Sequence, residues 1–330
     1  MDEMRLFAVA GNPVLGTREP GMLRRAFDAA GMNALCVPLA MRNARETVEM
    51  IRQLDIRGTV ITTPFREEIV PFLDELDGKA RAAGAVTIVV NDRGRLIGFN
   101  TDPAYRANDT ERAGGKETAD AQLTDNRRLL AGSAEAFRLF TGREAPLEEM
   151  EKALHGGGSP APDSICVVGF MGAGKSTVGP AVAARLSMPH VDVDTRIEER
   201  TGRTITEIFR ESGEEVFRRH EKNEIRDILG RGRCVVAAGG GTVLDGENVS
   251  RMKGSSLVVW LFAGLEETLL RIGTNPSRPL ATGKESIEHT FRNRIPVYAR
   301  ASHLLVKTDG ASVDEVAERI VYESDSAFGG

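Results

Sequence analysis

Residues 169–176 read Gly-Phe-Met-Gly-Ala-Gly-Lys-Ser, a fit to the pattern GxxxxGK[ST]. Glycines let backbone N–H groups turn inward around phosphate oxygens, and a helix starting near Lys175 adds the positive end of its dipole. Gly172, Ala173 and Gly174 are expected to form the cradle, Lys175 to place a point charge on the β- and γ-phosphates, and Thr177 to complete the contact set. Ser176 offers a hydroxyl to Mg²⁺, an ion that keeps several waters and takes few protein ligands. A second chemical pair, Asp192-Val-Asp194, closes a predicted strand. Side chains two apart on a strand share a face, so one carboxylate can hold Mg²⁺ through water while the other accepts from a hydroxyl. The motif specifies nucleotide phosphate and leaves the reaction open.

These groups need elements to hold them. The apolar strand at 165–168 runs into the glycine loop and then a helix through Leu186. Further strands are expected at 190–193, 234–238, 257–262 and 304–307, with helices between them. That alternation predicts a parallel sheet covered on both faces. Upstream, strands at 6–10, 34–38, 58–62 and 85–90 alternate with helices at 20–30, 44–54 and 66–76, a second α/β layer. Residues 103–126 are polar and read as a loop or disordered connector. A helix pair is expected at 127–140 and 146–154. Three glycines and two prolines mark 155–162 as a linker. The chain thus divides into an α/β domain over 1–154, a linker over 155–162 and a second α/β domain over 163–330.

Composition excludes several classes. The chain of 330 residues has 43 Lys plus Arg against 48 Asp plus Glu, a formal charge of −5, and lacks the cationic excess of a nucleic-acid grip. Its longest apolar run, 257–263, is far short of the roughly 18 residues of a membrane span. No basic patch followed by an apolar stretch opens the sequence, so no secretory signal and a cytoplasmic location are expected. Cys36, Cys166 and Cys234 share no CxxC or CxH spacing and read as buried small hydrophobes in a reducing compartment.

In unbroken order, GFMGAGKST, VDVDTRIEERTGRTITEIF, GEEVFRRHE, AAGGGTV, RIGTNPSRPLA and RNRIPVYARA resemble the shikimate kinases, over about residues 163–323. The resemblance implies a P-loop kinase fold and ATP-dependent phosphorylation of the 3-hydroxyl of shikimate, with ATP and Mg²⁺ as its cofactors. By resemblance, Asp194 binds the ring hydroxyls and orients the nucleophile, and Asp192 sits near Mg²⁺. Arg218 and Arg294 match the two arginines that hold the substrate carboxylate. Gly239, Gly240 and Gly241 match the glycine run that approaches substrate, with Gly240 as the direct contact. Arg278 matches a lid arginine that reaches the transferring phosphate, and Arg271 one that stacks on adenine. His220 replaces the family's usual apolar residue, a local packing change. The residues agree with this reading, since a small hydroxylated anion calls for guanidinium forks and a carboxylate acceptor.

The first half resembles the substrate domain of shikimate dehydrogenase through AVAGNPVLGTREPGMLRRAF, RGTVITTPFREEIVPFLDELDGKARAAGAVTIVVND and GRLIGFNTD. LLAGSAEAFRLFTGREAPLEEMEKAL resembles that enzyme's C-terminal helices. Between them, where the family has an NADP-binding domain, stand only the 24 residues 103–126, without a GxGxxG. The resemblance maps the family's serine pair to Leu15 and Thr17, its catalytic lysine to Arg66, its pocket asparagines to Val60 and Thr87, a glutamine to Gly132, and the lysine's acidic partner to Asp102. An arginine does not deprotonate in proteins and cannot replace a proton-transferring lysine. No redox activity is expected.

Three functions follow from these observations: a shikimate kinase with a catalytically dead companion domain, a metabolite-sensing regulator built on a kinase-like fold, or a related small-molecule kinase such as one acting on gluconate. Absence of a helix-turn-helix or zinc pattern and presence of the full catalytic set favour the first. Expected partners are shikimate and ATP. For the first half, a scaffold, a protein-docking surface and a weak ligand-binding module all stay open.

Overall fold

The computed structural model describes residues 4–102, 119–155, 164–273 and 284–328. The chain folds as two compact units, Met1–Gly158 and Ser159–Gly330. Of the expected linker, His155 ends a helix and 156–162 lie outside the described residues.

The first unit contains β1 (Arg5–Gly11), α1 (Glu19–Ala29), β2 (Ala34–Ala40), α2 (Ala44–Gln53), β3 (Gly58–Ile61), α3 (Phe65–Glu68), β4 (Glu75–Leu76), α4 (Gly78–Ala83), β5 (Ile88–Asp92), β6 (Arg95–Phe99), α5 (Ala119–Thr141) and α6 (Leu147–His155). Its strands lie in the order β4-β6-β5-β3-β1-β2. β1 pairs in parallel with β2 and β3, while β5 is antiparallel to both β3 and β6. The β5–β6 hairpin turns through Arg93 and Gly94, both at positive φ, the backbone that a tight two-residue turn requires. On the core side, Phe7 stacks on Phe27 and Phe140 at 4.6 and 5.1 Å between ring centroids. A side chain at Gly58 would occupy the space of the Phe140 ring, so glycine there lets α5 lie on β3.

Three expectations in this unit need correction. The helix expected at 66–76 is only α3, followed by a 3-10 turn at Val70–Phe72 and then β4. Pro71 lacks the N–H that a continued helix needs, and Asp74 N–H is drawn to the Leu96 carbonyl of β6. The connector expected over 103–126 is helical from Ala119, and 103–118 lie outside the described residues. The strand expected at 85–90 begins at Ile88, because Val86 and Thr87 bond to Arg66 and Phe99 ahead of the ladder.

The second unit contains β7 (Ser164–Val168), α7 (Lys175–Leu186), β8 (His190–Asp192), α8 (Val193–Thr201), α9 (Ile205–Leu229), β9 (Val235–Ala237), α10 (Gly246–Ser255), β10 (Ser256–Phe262), α11 (Leu265–Ile272), α12 (Lys284–Ala301), β11 (Leu304–Lys307) and α13 (Val313–Phe328). Its strand order is β11-β10-β7-β9-β8, and every pairing is parallel. β7, β9, β10 and β11 are buried along their whole lengths, as a sheet with two covered faces demands. From β7 the chain moves to one side for β8 and β9, then returns past β7 to β10. The loop after β7 therefore leaves the sheet at a topological switch point, where open α/β sheets form their binding crevice.

Cys36, Cys166 and Cys234 are all buried and free, and burial pushes Cys36 and Cys166 up to about 12. Among the described residues, no helix is long and apolar enough to cross a membrane.

Candidate active site

Three segments leave the carboxyl end of the second unit's sheet: the glycine loop after β7, the acidic pair after β8 and the glycine run after β9. In the first of them, Gly169, Gly172 and Gly174 all take positive φ. Gly169 abuts the Leu261 carbonyl of β10 so closely that a Cβ would collide with it, which fixes the loop against the sheet. Lys175, the first residue of α7, folds back and donates from Nζ to the carbonyls of Gly169 (2.9 Å) and Phe170 (3.0 Å). Its charge is thus positioned over the loop by the loop itself. Gly172, Ala173, Gly174, Lys175, Ser176, Thr177 and Arg271 border a cavity of about 310 Å³.

Arg271, on α11, reaches this cavity with its head fixed three ways. It donates to the Gly172 carbonyl at 3.0 Å and to Thr308 Oγ1 at 3.2 Å, and pairs with Glu267 at 2.7 Å. Thr308 was not among the residues singled out from the sequence, because nothing local to it signals the contact.

The strand argument for Asp192 and Asp194 does not hold. β8 ends at Asp192, and Asp194 belongs to the first turn of α8. Asp192 is the N-cap: its Oδ1 accepts from the N–H groups of Asp194 (3.0 Å) and Thr195 (3.3 Å). Its Oδ2 accepts from Ser176 Oγ at 3.0 Å. The hydroxyl and carboxylate expected to share Mg²⁺ therefore touch, although a helix cap and not strand alternation brings them together. Two hard oxygen donors with room for waters suit a Mg²⁺ ion that retains most of its hydration.

Gly239, Gly240 and Gly241 form the floor on which the substrate-side groups converge. A Cβ on Gly239 would stand 2.5 Å from Glu221 Oε1 and 3.2 Å from Asp194 Oδ1. One on Gly241 would displace the Arg218 guanidinium, and one on Gly240 would lie 3.7 Å from the Gly169 carbonyl and 3.9 Å from Arg294 Nη1. The Gly240 carbonyl accepts from Arg294 (2.9 Å) and from Tyr298 OH (2.6 Å). Arg294 also lies over the Phe170 ring at 5.8 Å, which ties it to the phosphate loop. Arg218 pairs with buried Glu221 at 2.8 Å and exposed Glu214 at 3.0 Å. Burial works against the Arg218 charge, but these two carboxylates outweigh it and raise its pKa. Glu221 is anchored in turn by Thr242 Oγ1 at 2.6 Å. Burial also pushes the Tyr298 phenol up to about 12, so it stays a hydrogen-bond donor.

Glu221 and Tyr298 are the supports that sequence reading passed over. Both stand inside the quoted stretches GEEVFRRHE and RNRIPVYARA, so their positions were visible and their partners were not. Arg278 lies outside the described residues.

A parallel sheet with a lysine-bearing glycine loop at its switch point, and a serine–aspartate pair beside it, defines a P-loop nucleotide-binding unit. Residues 171–324 match the family model described as shikimate kinase, and the shikimate kinase of Moorella thermoacetica is 42% identical over 161 residues, 48% of this chain and 92% of that protein. The chain belongs to the shikimate kinase family. A shikimate kinase of Thermus thermophilus is 40% identical over 161 residues, 48% of this chain and 87% of its own. A solved shikimate kinase from Acinetobacter baumannii, in complex with shikimate, aligns with 32% identity and a TM-score of 0.47 over 49% of this chain and 92% of that one.

Residues 9–89 match the shikimate dehydrogenase substrate binding domain, and 133–155 the shikimate 5'-dehydrogenase C-terminal domain. This first unit has a cavity of its own, about 620 Å³ in volume. Arg66, Val60, Thr87, Asp102 and Gly132 line it, whereas Leu15 and Thr17 do not. Thr17 Oγ1 instead donates to the Val14 carbonyl at 2.7 Å, and the residue next along the chain that lines the cavity is Glu19, the first of α1. Arg66 faces Asp102 at 3.9 Å, so the lysine–acid pair of the resemblance stands here as an arginine–acid pair.

Proposed function

We propose that this protein transfers the γ-phosphoryl group of ATP to the 3-hydroxyl of shikimate. The observation that carries the proposal is the Gly239–Gly241 floor, which adjoins Asp194, Arg218 and Arg294 on one side and the phosphate loop on the other. Arg218 and Arg294 hold the substrate carboxylate, with exposed Glu214 the partner that yields on Arg218. Asp194 accepts the hydrogen bond of the nucleophilic hydroxyl and takes its proton as that oxygen bonds to the γ-phosphorus. The bond to the β-bridging oxygen breaks, and ADP leaves with its electron pair. Lys175 and the N–H groups of Gly172, Ala173 and Gly174 neutralise the phosphate charge, and Thr177 completes their contacts. Arg271 forms the adenine side of the nucleotide site, and Arg278 serves as the lid arginine. Such a reaction asks the protein chiefly for positioning and charge neutralisation.

Ser176 and Asp192 are the residues that would hold Mg²⁺, which when bound neutralises charge on the β- and γ-phosphate oxygens. The division of labour follows the chain, with phosphoryl transfer in 163–330, a non-catalytic domain in 1–154 and a linker at 155–162. The location is cytoplasmic. An ADP-release assay with shikimate, quinate and gluconate tests the reading. ATP should be consumed with shikimate and Mg²⁺ together; equal consumption without shikimate, or a preference for gluconate, would overturn it.

A further inference from the structure

The first unit's cavity lies among the ends of β3 and β6, the start of β5, α3, the first residue of α1 and one side of α5. Its walls carry both signs of charge, Glu19, Asp102 and Asp125 against Arg66, Arg127 and Arg128. Val60, Ile61, Ile88 and Leu129 supply an apolar side. Two of its polar groups are buried in an unusual state. Glu19 is 8% exposed, and its Oε2 has no hydrogen-bond partner among the described residues; Ser133 is 2% exposed, and its Oγ is in the same condition. A buried polar atom left unpaired costs about 1–3 kcal/mol, and more for a charged group. Two among the residues lining one cavity, Glu19 on α1 and Ser133 on α5, mark the place where a ligand would supply the missing bonds.

The signs of the groups select the ligand. Glu19 repels a carboxylate and needs a donor, best a cationic one. Arg66 lines the cavity 3.9 Å from Asp102, with its Nε on the Ile61 carbonyl at 3.3 Å, and its planar fork is the group that matches a carboxylate. A purely anionic ligand leaves Glu19 opposed, a purely cationic one leaves the arginines unused, and a neutral polyol matches neither the two signs of charge nor the apolar side of Val60, Ile61, Ile88 and Leu129. We propose that this cavity binds a free α-amino acid with an apolar side chain, its ammonium group on Glu19 and Ser133, its carboxylate on Arg66, and its side chain against Val60, Ile88 and Leu129. Burial pushes the Glu19 carboxyl above the ordinary carboxylate range, against the pull of its own backbone N–H, the Arg66 charge, the Arg18 N–H and the Thr17 hydroxyl, which leave Oε2 as the oxygen without a bond among the described residues. An ammonium at that point reverses the penalty, so binding and ionisation of Glu19 reinforce each other.

Calorimetric titration of the full chain with L-phenylalanine and L-leucine tests the site, with phenethylamine and 3-phenylpropionate as the analogues that each lack one charge. Deleting a charge-assisted contact should weaken binding about tenfold or more. At least one amino acid should bind at one per chain, at least about tenfold more tightly than either analogue of phenylalanine or, for leucine, than isoamylamine and 4-methylvalerate. Glu19→Gln should abolish that affinity and leave shikimate-dependent ADP release unchanged. Gly132→Leu, whose new side chain meets no atom within 4 Å at its Cβ, should block the cavity without disturbing α5. Absence of amino-acid binding, equal affinity for a single-charge analogue, displacement of the amino acid by shikimate, or full binding by the folded Gly132→Leu protein would each overturn the proposal.

Discussion

The second unit's crevice and the first unit's cavity are both built where parallel strands end, and they differ in how their basic and acidic groups are anchored. In the crevice, Lys175 rests on two loop carbonyls, Ser176 on Asp192, Arg218 on Glu221 and Arg294 on the Gly240 carbonyl. In the cavity, Glu19 and Ser133 are buried with atoms unsatisfied among the described residues. The first arrangement keeps its groups placed while ligands come and go, so little reorganisation accompanies reaction. The second stores an energetic penalty that a ligand of the right polarity relieves.

The sharpest way to break this comparison is to damage the crevice. Asp194→Asn should lower kcat by about 10²–10⁴-fold while the KM for ATP changes little, since the lost function is positioning and proton acceptance. A near-normal steady-state rate would remove Asp194 from the mechanism. Lys175→Ala should reduce kcat by roughly 10²–10³-fold, as loss of one preorganised charge does; unchanged turnover would mean that the loop does not hold the reacting phosphate. Smaller effects separate the two arginines. Arg294→Leu and Arg218→Leu should each raise the KM for shikimate by roughly 10- to 100-fold, the worth of one charge-assisted contact. Only Arg218→Leu should also lower Tm, because it strands buried Glu221, whereas the Gly240 carbonyl keeps Tyr298 when Arg294 is gone. Equal Tm for both variants would refute that distinction.

Two further measurements sharpen the other side. A fragment spanning 161–330 should fold and phosphorylate shikimate at close to the full-length rate, and the full chain should show no shikimate-dependent reduction of NADP. A folded but inactive fragment would make the first unit an obligate partner, and NADPH formation would demonstrate redox chemistry. The smallest effect concerns pH. Burial raises the folded-state pKa of Glu19 above its ordinary 4.5. Its contribution to stability is therefore complete below about 4.5 and is lost as pH rises through the higher folded value. Chemical denaturation should show Glu19→Gln gaining stability relative to the parent as pH rises from 4 toward neutrality, with the difference shrinking in acid. A pH-independent difference would place the Glu19 carboxylate in a satisfied setting.

What could be read from the amino acids depended on whether the determining interaction is local. The phosphate loop was legible because its glycines, lysine and serine do their work within eight consecutive residues. The sequence pattern puts Asp192 and Asp194 on one strand face, where the structure has a helix start, since apolar Val191 and Val193 extend a strand pattern that the N-cap at Asp192 ends. The helix expected at 66–76 failed at Pro71, a local signal overridden by the helical spacing around it. Residues 119–126 looked like loop because polarity dominates them, yet they continue a helix whose buried face comes later, at Ala136 and Phe137. Glu221 and Thr308 were out of reach for a different reason. Glu221 works by holding Arg218 against a glycine run some twenty residues onward, and Thr308 meets Arg271 across 37 positions of chain. The shift from Leu15 and Thr17 to Glu19 is of the same kind, because only the folded chain shows which side chain lines the cavity.

Asp192 divides one carboxylate between two duties, capping α8 with Oδ1 and meeting Ser176 with Oδ2. Starting a helix is its costly step, and a cap lowers that cost. The oxygen that faces Ser176 thus takes its bearing from the birth of a helix and not from the arrival of a nucleotide. An alteration that spares the fold and silences this oxygen alone must keep an acceptor for two N–H groups, which asparagine does and alanine does not. Under the proposed Mg²⁺ role of this pair, the ion site and the start of α8 share one side chain.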